Sequence, residues 1–149
     1  MNYIGIDLSL TGTGIVVIDE ENKILIQELV STNSKDNIEI RFSTIVDKVL
    51  LITSQYPENK ICIEGLSFGS QSSSMLQLAG LHFLVRYILT KANIKYEIVP
   101  PTVLKKWVTG KGQSKKELML LQCYKKFGEE FSDNNICDAY LLSKFSKGN

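Results

Sequence analysis

The sequence predicts an α/β fold in which one mixed, five-stranded sheet is flanked by helices. Three observations carry that expectation. Short apolar runs separated by glycines and polar turns open the chain. Longer segments with apolar residues at three- and four-residue steps then alternate with further short apolar runs. Finally, 149 residues with 44% hydrophobic content supply one full core and are too few for a comfortable division into two. A single domain over residues 1–149 is expected.

The elements follow in order. YIGID is an apolar run ending on Asp7, and after small polar turn residues with Gly12 and Gly14 comes a second run, Ile15 to Ile18. That pattern is a β-hairpin. Glu20, Glu21 and Asn22 form the next turn and KILIQELV a third strand, which completes an antiparallel meander. After the polar loop STNSKDN, residues 37–55 place Ile38, Phe42, Ile45, Val46, Val49, Leu50 and Ile52 on one helix face, with Asp36 as the expected N-cap and Pro57 as the stop. KICIEG is a fourth strand carrying Glu64, followed by the serine-rich loop LSFGSQSSS around Phe68. A second long helix spans Met75 to Lys91, and YEIVPP is a fifth strand stopped by Pro100 and Pro101. Residues 102–108 read as a short helix, GKGQS as a loop and Lys115 to Phe127 as a helix beginning near Ser114; Ser132 or Asp133 caps the last helix. The principal order is βββαβαβαα.

A net charge of +1 conceals a strongly uneven distribution, because residues 105–126 hold seven lysines and one acid, Glu117. Lys105, Lys106, Lys111, Lys115 and Lys116 lie in a stretch free of carboxylates, which points to a polyanionic partner; a solvated lysine face is the other reading. Cys62, Cys123 and Cys137 form no CxxC pair, so they predict reduced core residues rather than a disulfide framework or a zinc site. No run of 18 uncharged apolar residues occurs, and MNYIGIDLSL lacks the features of a secretory signal. A soluble, cytosolic protein without a membrane partner is expected. Trp107 is expected to pack beneath the basic segment, with facing DNA as the other reading, and His82 is expected to be structural, at a subunit interface in one version of that reading.

Three carboxylates stand out. Asp7 and Glu64 both emerge from segments that look buried, and Asp138 lies on the last helix. An ionised carboxylate taken out of water needs compensation, and a divalent cation is a common source of it. Two ions held about 4 Å apart by several carboxylates can clamp a scissile phosphate, and hard oxygen ligands suit Mg²⁺ or Mn²⁺. Taken singly, each acid also fits a strand end, an exposed rim or a wet helix face.

The motifs IGIDLSLTGTGIVVI, KICIEGLSFGSQSSSMLQLAG, VLKKWVTGKGQSKKELM and NNICDAYLL resemble, in order and spacing, those of the RuvC family of Holliday junction resolvases, over nearly the whole chain. The resemblance implies an RNase H-like fold and a homodimeric, Mg²⁺-dependent endonuclease with two ions per site that nicks four-way and other branched DNA. Carried over by position, Asp7 and Glu64 match metal-binding carboxylates and Asp138 the second aspartate of a DxxD motif. Lys105 and Lys116 match basic residues that contact or help activate the phosphate, while Lys106, Lys111 and Lys115 fall along the DNA path. Phe68 lies within one position of an aromatic that interacts with bases at the branch point, where stacking is worth roughly 1–3 kcal/mol; anchoring its loop on the core is the alternative.

One departure concerns the fourth ligand. Asn135 stands where the family has the first aspartate of DxxD, which keeps a carbonyl oxygen on the same helix face as Asp138 but removes a charge. A natural amide and an introduced Asp→Asn change both remain open, and Asn135→Asp is expected to raise cleavage. Asp133 fits better as a cap than as a replacement ligand. Among rival readings, an actin-like or sugar-kinase ATPase shares the opening hairpin, but would need a second domain. A ribonuclease H acting on RNA/DNA hybrids and a catalytically impaired branched-DNA binder also stay open. The Lys, Asn and Ile content suits a low-GC bacterium or its phage.

Overall fold

The strands are β1 (Asn2–Asp7), β2 (Gly12–Ile18), β3 (Ile24–Ser31), β4 (Asn59–Glu64) and β5 (Glu97–Val99) in a computed structural model that describes residues 1–67, 69 and 72–148. They form one sheet in the order β3-β2-β1-β4-β5. The meander expected at the N-terminus is present, with β1 and β3 each antiparallel to β2, whereas β4 runs parallel to β1 and β5 parallel to β4. The sheet is therefore mixed and five-stranded, as expected.

Helices α1 (Ile38–Gln55) and α2 (Ser73–Lys91) cover one face; α3 (Pro101–Thr109), α4 (Lys116–Phe127) and α5 (Asn134–Lys147) cover the other. The short helix expected after β5 is present and one residue longer at each end than the sequence indicated, so three helices close the chain. Pro101 explains the earlier start, since its fixed φ and missing N–H suit the first helical position. The cap of α1 also differs from expectation. Asn37 Oδ1 accepts from the Glu39 N–H at 3.1 Å, while the Asp36 N–H is turned back to the Asn33 carbonyl at 3.0 Å. At α5 the expected Asp133 cap is confirmed, its carboxylate accepting from the N–H groups of Asn135 and Ile136 at 2.8 and 3.0 Å.

Strand alternation sorts the side chains between two cores. Ile4, Ile6, Ile15, Val17, Ile61 and Ile63 face α1 and α2, where they meet Ile45, Val49, Leu81, Val85 and Leu89. Tyr3, Val16, Ile18 and Cys62 face the α3–α5 side and pack with Leu104, Met119, Cys123, Ala139, Tyr140 and Leu142. The three cysteines are free and buried, as expected. Trp107 packs as well, stacked on Phe127 at 5.9 Å between centroids and edge-on to Phe145 at 5.4 Å.

Helix α5 presses unusually closely on the sheet. A Cβ on Gly5 would lie 1.8 Å from the Ala139 carbonyl oxygen, and one on Gly14 would lie 2.3 Å from the Asn135 carbonyl oxygen. Only glycine leaves room for the helix backbone at these two points.

Candidate active site

The strand register brings the first two acids together. Ile6 of β1 is paired with Ile63 of β4 in parallel, so the next residues along, Asp7 and Glu64, are neighbours on strands about 4.8 Å apart. Both fall on the α5 face, in phase with Gly5 and Cys62. The close seat of Ala139 over Gly5 then holds Asp138 above the carboxyl ends of the same strands. Open α/β sheets bind ligands in this position.

Asp7, Glu64, Asn135 and Asp138 line one cavity of about 270 Å³, together with Lys105 and Lys116. The site predicted from sequence is thus assembled from five elements. Lys106, Lys111 and Lys115 are exposed beyond the cavity wall, along α3 and the loop to α4. That loop is pinned at Thr109, whose hydroxyl donates to the Lys105 carbonyl at 2.8 Å and lies 2.6 Å from Ser114 Oγ. Phe68 lies outside the described residues.

Burial is the main reason that all three carboxyl groups hold their protons unusually firmly. Asp7 is only 8% exposed, and burial first, then the charges of Glu64 and Asp138, push its pKa well above the usual carboxylate range. Glu64 is pushed up to about 7 by burial and by Asp138, with Lys105 opposing. Asp138 rises to about 6 through burial, with Lys105 and Lys116 opposing and Asp133 adding to the rise. Among the described residues neither lysine comes within ion-pair distance of these acids.

Such crowding of like charges in a low dielectric is what a divalent cation relieves, and the donors are the hard oxygens that Mg²⁺ or Mn²⁺ prefers. Among the described residues no group of three or more His, Cys, Asp or Glu side chains is arranged to hold a metal ion as the side chains stand.

Asn135 is more committed than its sequence position revealed. Its Nδ2 donates to the Gly12 carbonyl at 2.6 Å, so the amide ties α5 to β2 and leaves Oδ1 as the atom able to ligate. An aspartate here would set an oxygen against that carbonyl.

Several contributors escaped the sequence reading. Thr13 is fully buried, and its hydroxyl donates to the Ser9 carbonyl at 2.7 Å and accepts from the Ser9 N–H at 3.1 Å, fixing the turn that follows Asp7. His82 is 3% exposed, which agrees with the structural role expected of it, and it also lines the acidic cavity. Burial and then Arg86 pull its pKa down to about 4, leaving a neutral imidazole. Arg41 is buried too, and its signal was available: it falls in phase with Ile45, Val49 and Ile52 on the apolar stripe of α1.

The mixed sheet in the order β3-β2-β1-β4-β5 with helices on both faces is an RNase H-like fold, and the three acids meet at one end of its central strands. The family model "Crossover junction endodeoxyribonuclease RuvC" matches residues 3–142. The chain is 28% identical over 155 aligned positions to the crossover junction endodeoxyribonuclease RuvC of Ehrlichia canis, covering 100% of this chain and 99% of that one. It is 30% identical to the Rickettsia africae protein of the same name, over 80% of this chain and 78% of the relative. Among solved structures, Thermus thermophilus RuvC matches with a TM-score of 0.80 at 22% identity, over 96% of this chain and 91% of that one. The same protein in complex with a Holliday junction substrate gives 0.82 at 21% identity, over 96% and 90%. This chain belongs to the RuvC family of crossover junction endodeoxyribonucleases.

Proposed function

We propose that this chain, a RuvC-family endodeoxyribonuclease, binds four-way and other branched DNA as a homodimer and nicks it by Mg²⁺-dependent phosphodiester hydrolysis. The observation that carries this reading is the register of Asp7 beside Glu64 with Asp138 above them, in one cavity bordered by Lys105 and Lys116. Asp7, Glu64 and Asp138 would hold two Mg²⁺ ions, with Asn135 Oδ1 as a neutral fourth ligand; Mn²⁺ would serve in their place. Bound there, such ions would supply activation of the attacking water and stabilisation of the leaving oxygen. The carboxylates orient them, and the buried setting of Asp7 keeps bulk water from screening the charges. Lys116 and Lys105 neutralise the phosphate at the cut, and Lys106, Lys111 and Lys115 hold phosphates further along as point charges that read no sequence. Phe68 is assigned to stacking at the branch point.

Pairing of two subunits is assigned to α2. Leu76, Phe83 and Tyr87 are 67%, 58% and 61% exposed and recur at seven- and four-residue steps along one side of this helix. Two sites would then face opposite strands of one junction. Residues 1–149 are read as a single nuclease domain acting in the cytoplasm of a bacterial or phage-infected cell; no described helix is long and apolar enough to cross a membrane.

The test is cleavage of a four-way junction, linear duplex and RNA/DNA hybrid in Mg²⁺, Mn²⁺ and Ca²⁺, alongside light scattering. Junction-selective nicking in Mg²⁺ or Mn²⁺ by a dimer is expected. Hybrid-selective cleavage would instead establish a ribonuclease H. Tight junction binding without nicking would establish the second reading, a branched-DNA binder, which the engaged amide of Asn135 favours.

A further inference from the structure

A second cavity adjoins the acidic one, with Met75 and Leu78 lining both. Its volume is about 410 Å³, and its mainly apolar walls carry a set of polar side chains: Ser9 and Thr11 from the turn after Asp7, Ser34 from the loop before α1, Ser74 and Gln77 from the start of α2, and Arg41 from α1. Among the described residues no carboxylate lines it.

Arg41 is the residue that needs an explanation. It is 7% exposed, yet among the described residues no acid pairs with it. Its Nε donates to Thr32 Oγ1 at 2.8 Å and its Nη2 to the Leu10 carbonyl at 3.0 Å, both neutral acceptors. No buried side-chain nitrogen or oxygen among the described residues lacks a hydrogen-bond partner, so the rest of the guanidinium meets solvent where Arg41 lines this cavity. A mostly buried cation held only by neutral acceptors is better compensated by an anion than by the water at its open edge. The planar guanidinium fork matches a phosphate, and the hydroxyl and amide groups around it can donate to the same oxygens.

We propose that this cavity binds a backbone phosphate of the DNA strand being cut, with Arg41 as its anchor. The turn Leu8–Thr11 supports the placement, because it leads from the acidic cavity, lined by Asp7 and Leu8, directly to the walls contributed by Ser9 and Thr11. A strand whose scissile phosphate lies at Asp7 would follow that turn and bring a flanking phosphate to Arg41. Identification of the anion as DNA rests on the nuclease reading; the anion site itself does not.

The test has two arms and three variants. Junction binding in Ca²⁺ is followed against salt for wild type, Arg41→Gln, Arg41→Lys and Ser74→Glu, and thermal stabilisation by inorganic phosphate is measured on the same proteins. Ser74→Glu places an anion at the cavity wall in the first turn of α2, where negative charge favours the helix, so it tests the site with the fold preserved. The proposal expects Arg41→Gln and Ser74→Glu to lower the slope of log Kd against log salt by about 0.7 to 0.9 and to lose the stabilisation by phosphate. Arg41→Lys retains most of both. An unchanged slope together with unchanged phosphate stabilisation overturns it. If wild type binds no DNA, the nuclease reading fails and the phosphate arm decides: loss of stabilisation in the variants assigns the site to a free phosphate, and its persistence overturns the site. If Arg41→Gln does not fold, Ser74→Glu decides in the same way.

Discussion

The two faces of one sheet are built on different rules. Toward α1 and α2 the strands offer isoleucine and valine, and the helices answer with more of the same, so that face is a matter of filling volume. Toward α5 the same strands offer Gly5, Asp7, Gly14 and Glu64, and the helix comes close enough for its carbonyls to meet the strand backbone. The lesson is that a single alternation of side chains serves two ends: one face supplies rigidity, and the other uses it to hold three carboxylates closer than their charges favour.

Removing an acid should break the comparison most sharply. Asp7→Asn is expected to lower Mg²⁺-dependent cleavage by about 10³-fold, or ~4 kcal/mol, while its neighbour Ile6→Val, facing the other core, changes cleavage little. Parallel rates for the two variants would place Asp7 outside the chemistry. Gly5→Ala should come next, destabilising the fold by about 3 kcal/mol in urea denaturation because its Cβ would meet the Ala139 carbonyl at 1.8 Å. Ile6→Val should lose only about 0.5–1.5 kcal/mol. Equal losses would mean that α5 can move away from the sheet at little cost.

The acids should also make metal-free stability depend on pH in a particular direction. Glu64 carries a folded-state pKa near 7 against an ordinary 4.5, so both folded and unfolded chains are protonated at pH 4 and no penalty exists there. As pH rises from about 4.5 through 7 the unfolded chain gives up its proton first, and stability falls. Glu64→Gln should therefore match wild type at pH 4 in EDTA and exceed it by roughly 1–3 kcal/mol at pH 8, with Mg²⁺ shrinking the gap. A variant less stable than wild type at pH 8 would show that the carboxylate is stabilised in the apo fold. For the same reason cleavage should climb as pH passes through 6 to 7, where Asp138 and Glu64 release protons to make room for the metal.

Asn135→Asp should have the smallest effect and the most informative one. It exchanges the 2.6 Å hydrogen bond to Gly12 for a fourth carboxylate. Loss of about 1 kcal/mol in stability should accompany tighter Mg²⁺ binding and faster nicking. Faster nicking with no loss of stability would mean that the Gly12 bond is incidental; slower nicking would mean that the amide is itself the working ligand.

Much of this site was legible in the chain. Asp7 and Glu64 were visible as acids at the ends of apolar runs, Asp133 as a cap, and the lysines as a cluster, because each signal is contained within a few consecutive residues. Arg41 is a charge in phase with the apolar stripe of α1, but its burial against the turn after β1 depends on contacts that lie far away in sequence. His82 was placed in an apolar helix, yet nothing local could show that this helix reaches the acidic cavity. The start of α1 moved by one residue because Asp36 and Asn37 are both competent caps, and the turn back to Asn33 decided between them.

The sequence by itself determined the periodicities: which residues form strands, which face of each helix is apolar, and that Asp7 and Glu64 follow buried segments. Those follow from backbone geometry and from the hydrophobic effect acting on neighbours in the chain. Only the tertiary structure decided that Ile6 pairs with Ile63, which sets Glu64 beside Asp7; that Gly5 and Gly14 admit α5; and that Asn135 donates to Gly12. Register and helix-to-sheet distance are fixed by contacts between residues far apart in sequence, where a shift of one position would carry every side chain to the opposite face.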